Sequence, residues 1–98
     1  MHVVTRRYSG PGSKELMDLV LKHQDEVAKL MRGVPGFVRY LIIKQGDAWM
    51  TATVCQDKAG CDASVRIATD WITKNAASTG VGAPQIADGE VLLQVLAG

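Results

Sequence analysis

Two polar residues, His23 and Gln24, interrupt the amphipathic stretch "LVLKHQDEVAKLM" (19–31) on its apolar side. Near neutral pH a partly buried imidazole accepts or donates a proton, so His23 is a candidate catalytic base for a phenolic or enolic substrate. Gln24 falls nearer the centre of the apolar arc, where an unpaired amide costs about 1–3 kcal/mol. It therefore needs a side chain, a water or a ligand as partner. The alternative for both is structural: an imidazole bonded to a carbonyl or water at the helix–sheet boundary, and a structural hydrogen bond for the amide.

The two tryptophans are large, and each has an indole N–H that needs an acceptor when it is buried. Trp71 lies in the stretch "TDWI" and is expected either to pack in the core or to form the wall of a substrate pocket. Trp49 belongs to the core or to an interface between subunits.

Three arginines lie in predicted strands. Arg6 and Arg7 are adjacent, so their side chains must point to opposite faces of a sheet; Arg39 lies in a later strand. A buried guanidinium needs a carboxylate, a carbonyl or an anionic ligand. Arg6 and Arg39 are therefore candidate substrate-binding residues, with a salt bridge between subunits as the alternative.

Two other features carry little chemistry. Cys55 and Cys61 are six residues apart, with no second pair and no basic cluster, which favours small buried thiols over a zinc site, a disulfide or a nucleophile. The stretch "STGVG" (78–82) lacks the lysine of a phosphate-binding loop and precedes no helix. Its better interpretation is a loop at the edge of a pocket.

Composition narrows the class of protein. The chain of 98 residues fits one domain (1–98), and its formal charge of +1 excludes strong electrostatic attraction to nucleic acid or membrane. The start "MHVVTRRYSG" lacks the apolar run of a signal peptide, and no stretch approaches the ~20 apolar residues of a membrane span. We expect a cytoplasmic protein with reduced thiols, without a metal or a cofactor, and with a small-molecule ligand as a candidate partner.

The hydrophobic periodicity of the sequence predicts the strands and helices that must position these residues. Ser13 is the predicted N-cap of the first helix, which Gly33 and Pro35 end, and Asp57 is the predicted cap of the second. Gly46 is the predicted turn of a hairpin. The predicted strands are 2–8, 36–44, 48–56 and 90–97, the predicted helices are 13–32 and 59–75, and 76–89 is predicted to be irregular.

This order predicts an α+β, ferredoxin-like β-α-β-β-α-β fold, with a four-stranded antiparallel sheet and two helices on one face. The other face should be polar if it meets water, but apolar residues fall on both sides of the second, third and fourth strands. We therefore expect a homodimer packed sheet to sheet about a two-fold axis. The alternative is a monomer whose own long side chains or 76–89 loop cover that face.

The element order, "VPGF" before the second strand, "TDWI" in the second helix and the closing strand "VLLQVL" resemble the dimeric α/β-barrel superfamily, in particular the antibiotic biosynthesis monooxygenase-like proteins. The resemblance implies a homodimer whose two sheets form a barrel, with a ligand pocket between sheet and helices. Some relatives oxidise aromatic polyketides without metal or flavin, using tyrosine, tryptophan and arginine; Tyr8, Tyr40, Trp71 and Arg39 are of these types. Others degrade haem with an asparagine in the first strand and a histidine near the second helix, and this sequence has neither.

Three functions follow from these residues. The first is a small-molecule enzyme, either a cofactor-independent monooxygenase or a proton-transfer enzyme such as an isomerase or decarboxylase. Its pocket would contain His23, Gln24, Trp71, Tyr8 and Arg6. The second is a non-catalytic ligand-binding or regulatory homodimer that uses the same cavity without a base. The third is an assembly role with no cavity. A cavity of a few hundred Å³ facing His23 would separate the first two from the third.

Overall fold

The ferredoxin-like fold is confirmed by a computed structural model, which describes residues 1–98. Four strands form one antiparallel sheet in the order β2-β3-β1-β4, and the helices pack on one of its faces. The elements are β1 His2–Tyr8, α1 Ser13–Lys22, α2 Gln24–Arg32, β2 Phe37–Gln45, β3 Ala48–Cys55, α3 Lys58–Asn75 and β4 Gln85–Glu90, with a short 3-10 helix at Ala77–Thr79.

The first predicted helix is two helices, because α1 ends at Lys22 and α2 begins at Gln24. His23 lies between them with φ −106° and ψ 29°, and its N–H is shared by the carbonyls of Leu19 and Val20. Because the helix is interrupted at His23, the side chains of α2 do not continue the angular positions of α1. Gln24 is therefore exposed, although it lies one helical turn after the buried Val20. Our placement of Gln24 near the centre of the apolar arc is therefore wrong.

The predicted caps had different outcomes. Asp57 caps α3 as expected, since its carboxylate accepts a hydrogen bond from the N–H of Gly60 at 3.0 Å. Ser13 does not cap α1: the N-cap is Gly12, in a left-handed conformation with φ +83°, and the Ser13 hydroxyl donates to the carbonyl of Gly10 at 2.8 Å. The hairpin turn is as predicted, with Gly46 at φ +62°.

The fourth strand lies earlier than predicted. β4 covers Gln85–Glu90, so the predicted loop 76–89 ends in a strand and the predicted strand 90–97 is almost entirely outside the sheet. The reason is register: Glu90 pairs with His2, where β1 begins, so strand pairing ends there whatever the sequence that follows. A polar contact fixes this pairing, because the imidazole Nε2 of His2 lies 2.6 Å from the Asp88 carboxylate, which also lies 3.5 Å from Lys58.

The two faces of the sheet differ in what covers them. On the helix side, Trp49, Thr51, Thr53 and Cys55 of β3 are all buried. On the other side no element of this chain covers the sheet, and we call this side the open face. It carries Leu41 and Ile43 of β2, which are exposed, and the partly exposed Val3, Met50, Ala52 and Val54. Both faces are therefore apolar, as the sequence predicts.

None of the helices is both long enough and apolar enough to cross a bilayer.

Candidate functional site

A small cavity lies between the helix side of the sheet and helices α1 to α3. Its volume is about 30 Å³, which is room for about one or two water molecules. Eleven of the twelve residues around it are hydrophobic, and the exception is Arg6. The cavity is therefore an apolar space with a single cation in its wall.

Arg6 is buried without a counter-ion. Its side chain is 3% exposed, and no carboxylate lies within salt-bridge distance. One guanidinium nitrogen donates to the hydroxyl of Tyr8 at 2.8 Å, another to the hydroxyl of Tyr40 at 3.4 Å, and Nε is buried with no acceptor. Neutral hydroxyls satisfy part of the hydrogen-bonding capacity of the guanidinium but leave its charge uncompensated.

The two phenols around Arg6 stay protonated at neutral pH. Burial raises the pKa of Tyr8 above its ordinary value of 10.0, and the nearby Arg6 charge opposes that shift without cancelling it. Burial raises the pKa of Tyr40 in the same way. Each phenol accepts a hydrogen bond from Arg6 and keeps a proton of its own to donate. The cluster therefore offers hydrogen-bond donors and a positive charge, but no base.

Trp49 forms a fixed wall beside this cluster. Its ring stacks on Tyr8 with the centroids 4.6 Å apart and the planes at 19°. The indole N–H donates to the backbone carbonyl of Ser13 at 2.8 Å, so it is not available to a ligand. Trp49 lies in the core on the helix side and does not contribute to the open face.

Trp71 forms the opposite wall, between the cavity and the surface of the protein. Its indole N–H donates to the carboxylate of Glu26 at 3.1 Å. Trp71, Leu30 and Ile67 line both the cavity and a surface groove of about 300 Å³ between α2 and α3. The interior space and the outer groove are thus divided by a wall of three side chains.

His23 lies on the outer side of that wall. Its ring meets Trp71 edge-on, with centroids 6.0 Å apart, and its Nδ1 is 3.9 Å from the Glu26 carboxylate. The side chain is 41% exposed and does not line the cavity. A cavity of a few hundred Å³ facing His23 is therefore not present.

The structure brings together three of the six predicted site residues: Arg6, Tyr8 and Trp71 all line the cavity. Gln24 lies apart, in a surface groove between α2 and β2, and Arg39 is exposed on the open face. Glu26 was not predicted, because an acidic residue on the polar face of a helix carries no sequence signal for a contact with a tryptophan 45 positions later.

The cysteines are buried and free. Burial, with the neighbouring Cys61, raises the pKa of the Cys55 thiol from 9.0 to about 11, and burial also raises the pKa of Cys61. Raised values disfavour the thiolate, which is the nucleophilic form. No cluster of three histidine, cysteine or acidic side chains could hold a metal ion.

The comparisons with known proteins rest on structure. No protein-family model matches the sequence, and a search of curated protein sequences finds no relative. Solved structures, in contrast, match over nearly the whole chain. One is a monooxygenase from the gene ActVA-Orf6 of Streptomyces coelicolor in complex with nanaomycin D, with a TM-score of 0.71 and 16% identity over 99% of this chain and 92% of that one. The chain has the fold of antibiotic biosynthesis monooxygenase-like proteins.

Two further structures show the range of proteins with this fold. SnoaB, a cofactor-independent oxygenase from Streptomyces nogalater, gives a TM-score of 0.62 with 13% identity over 96% of this chain and 94% of that one. A dimeric ferredoxin-like protein from an uncultured marine organism gives 0.67 with 13% identity, over 98% and 96%. At such identities the similarity establishes the fold, and the predicted resemblance is confirmed at that level.

Proposed function

We propose that this protein is a small-molecule enzyme similar to the cofactor-independent monooxygenases, and that it binds an aromatic or enolic substrate beside Arg6. The observation that carries the proposal is the buried guanidinium without a counter-ion in an otherwise apolar cavity. A buried, unpaired charge is costly to the folded protein, and a bound anion would compensate it. A phenolate or enolate supplies that negative charge together with apolar surface.

The chemistry follows from the charge. Arg6 favours the deprotonated form of a bound phenol or enol, and the neutral Tyr8 and Tyr40 donate hydrogen bonds to its oxygen. The electron-rich carbon of this anion adds to dioxygen, which forms a C–O bond; protonation gives a hydroperoxide, and loss of water gives a quinone. The substrate supplies all four electrons that reduce dioxygen to the new quinone oxygen and water, so no separate reductant is needed.

The wall at Trp71 is the proposed entrance. A cavity of about 30 Å³ does not hold an aromatic substrate, so binding requires that Trp71, Leu30 or Ile67 move and join the cavity to the outer groove. His23 lines neither the cavity nor that groove, but its ring meets Trp71 edge-on, so a movement of Trp71 would bring it next to the substrate. In that position His23 would act as the catalytic base that removes the substrate proton. Gln24 and Arg39 line neither the cavity nor the groove.

A second candidate is a non-catalytic ligand-binding homodimer. It is favoured by one observation: no group that could act as a base at neutral pH lines the cavity, since a raised pKa keeps both tyrosines protonated. Such a protein would bind the same anionic aromatic ligands beside Arg6 and release them unchanged.

We further propose that the protein functions as a homodimer. The support is the apolar open face, which a soluble monomer would leave in water, together with the dimeric ferredoxin-like protein of similar fold.

The test replaces the charge of Arg6. Arg6→Met and wild type are incubated with a panel of phenols and quinols, and oxygen consumption and ligand-induced changes in Tm are measured. We expect both signals in wild type and their loss in Arg6→Met. Arg66→Met is the matched control, because Arg66 is exposed on α3 and makes no ion pair. Ligand-induced Tm shifts without oxygen consumption would select the non-catalytic function; shifts that persist in Arg6→Met would refute both.

A further inference from the structure

The cavity beside Arg6 has hydrogen-bond donors in its wall that find no acceptor in the protein. Arg6, Tyr8 and Tyr40 all line it. The bonds from Arg6 to the two phenols use only part of its N–H donors, and Nε has no acceptor. Each phenol oxygen accepts a hydrogen bond from Arg6, and neither phenol donates its own proton to a group of this chain. The polar part of the wall is therefore cationic and rich in donors.

The rest of the wall supplies no acceptor side chain. Trp49 and Trp71 also line the cavity, and their indole N–H groups already donate to the Ser13 carbonyl and to the Glu26 carboxylate. The other lining side chains are apolar, and none is acidic or an amide. An occupant of this space meets one positive charge and unpaired protons, with apolar surface around them.

Unpaired polar groups of the core are concentrated at the same place. The three buried side-chain polar atoms that lack a partner are Arg6 Nε and the hydroxyls of Thr51 and Thr53. Thr51 is directly opposite Arg6 in the β1–β3 pairing, and Thr53 is two residues further along β3 on the same side. Folded proteins pair nearly all such groups, with protein atoms or with a bound molecule. Their concentration around Arg6 indicates a small polar occupant.

The size and polarity of the cavity select the kind of occupant. Its volume of about 30 Å³ has room for one or two water molecules and not for an aromatic ring. Water is neutral, so it leaves the Arg6 charge uncompensated, and its own protons need acceptors that the wall does not offer. A halide ion is only slightly larger than water, accepts hydrogen bonds from every side and carries the missing negative charge. Chloride is the common halide of biological fluids.

We propose that the Arg6 cavity of the ligand-free protein binds a chloride ion, held by the guanidinium of Arg6 and by the hydroxyls of Tyr8 and Tyr40. The ion compensates the buried charge and accepts the phenol protons. It fits the cavity without movement of Trp71. Because binding requires neither oxygen nor a base, the proposal goes beyond the enzyme activity and does not depend on it.

One consequence does rest on the proposed function. Chloride would occupy the place of the substrate oxyanion beside Arg6, so the two would exclude each other. Chloride should then raise the KM for a phenolic substrate and leave kcat unchanged, because saturating substrate displaces the ion.

The experiment measures Tm in mixtures of potassium chloride and potassium gluconate at constant ionic strength, since gluconate is too large for the cavity. We expect Tm to rise by about 4–8 °C between chloride-free solution and ~0.1 M chloride and to level off, as it does for a site that fills in the folded state only. Bromide should act as chloride does. The rise should disappear in Arg6→Met and persist in Arg66→Met, which removes an exposed charge of α3.

Two further measurements locate the ion. Combining Tyr8→Phe with Tyr40→Phe keeps the cation and removes both phenol protons, so half of the Tm rise should require roughly tenfold more chloride. Crystals grown in bromide should show an anomalous difference peak in the cavity, within hydrogen-bonding distance of the Arg6 guanidinium.

Equal Tm values in chloride and gluconate would overturn the proposal, and so would a chloride effect that Arg6→Met retains or bromide peaks found only outside the cavity. The outcome is separate from that of the proposed function. Arg6-dependent stabilisation by chloride in a protein that neither binds nor oxidises phenols would support the ion site and refute the enzyme. Oxidation of phenols by a protein whose Tm and KM are insensitive to chloride would refute the ion site alone.

Discussion

Trp71 and Glu26 are joined across α2 and α3 by one hydrogen bond, in which the indole Nε1 donates to the carboxylate at 3.1 Å. The bond lies beside the wall that divides the Arg6 cavity from the surface groove between α2 and α3. It therefore connects a half-exposed charge on the surface to the side chain that closes the interior.

Removing this acceptor should loosen the wall. We expect Glu26→Ala to lower the free energy of unfolding by about 1 kcal/mol, the usual net value of such a bond, and to increase quenching of tryptophan fluorescence by acrylamide. Asp25→Ala is the control, since Asp25 lies in the same first turn of α2 but makes no hydrogen bond or ion pair with a side chain. Equal quenching in the two variants would show that Glu26 does not hold Trp71 in place.

The buried charge of Arg6 should lower the stability of the protein when no ligand is bound. Replacing a buried, uncompensated charge with an apolar side chain of similar length is often neutral or stabilising. We therefore expect Arg6→Met to unfold at the same denaturant concentration as wild type or at a higher one, by up to about 2 kcal/mol. A loss of several kcal/mol would mean that the bonds to Tyr8 and Tyr40 outweigh the cost of the charge.

Gly60 should tolerate no side chain. A Cβ at this position would lie 2.9 Å from the Cβ of Cys55 and would also clash with the carbonyl of Pro35. Because neither neighbour is the free end of a flexible side chain, Gly60→Ala should lower the free energy of unfolding by about 1–3 kcal/mol. Gly82→Ala serves as the control in the same denaturant titration, since its Cβ would meet nothing within 4 Å; a neutral Gly60→Ala would mean that α3 can shift away from β3.

Asp88 should make the attachment of β4 sensitive to acid. The hydrogen bond from His2, together with the charge of Lys58, lowers the pKa of Asp88 below 3.8. A lowered pKa in the folded state means that this contribution to stability is complete above about pH 4 and is lost as the pH falls through the folded value. We expect amides of β4 to lose protection from hydrogen exchange below pH 4, and Asp88→Asn to weaken their protection already at neutral pH. If the Asp88→Asn variant still loses β4 protection below pH 4 to the same extent, the acid sensitivity belongs to other carboxylates.

Alternation and capping made much of the fold predictable. Adjacent strand residues point to opposite faces, so a buried arginine in β1 was expected, and Arg6 is that residue while Arg7 is exposed. Alternation and capping residues also placed three strands and α3 within two residues of their observed bounds. The site is less predictable, because no proline or glycine marks the break at His23, and a helical wheel drawn through it places Gln24 on the wrong side.

The fourth strand shows a different limit. The run "VLLQVL" is more strand-like than "QIADGE", yet only the second run pairs with β1. Hydrophobic periodicity shows whether a segment would be stable when its faces are covered. Strand register decides which segment of the chain actually lies beside β1. The prediction of a strand at 90–97 assigned the more apolar run to the sheet of its own chain, which has no strand available for it.

The uncompensated charge of Arg6 also bears on how long the protein would survive in a cell. Ligand that binds only the folded state shifts the folding equilibrium by mass action, and proteases remove chains that unfold. An anionic aromatic ligand that neutralises Arg6 would thus protect the protein from degradation. The abundance of the protein would then rise and fall with the supply of this ligand.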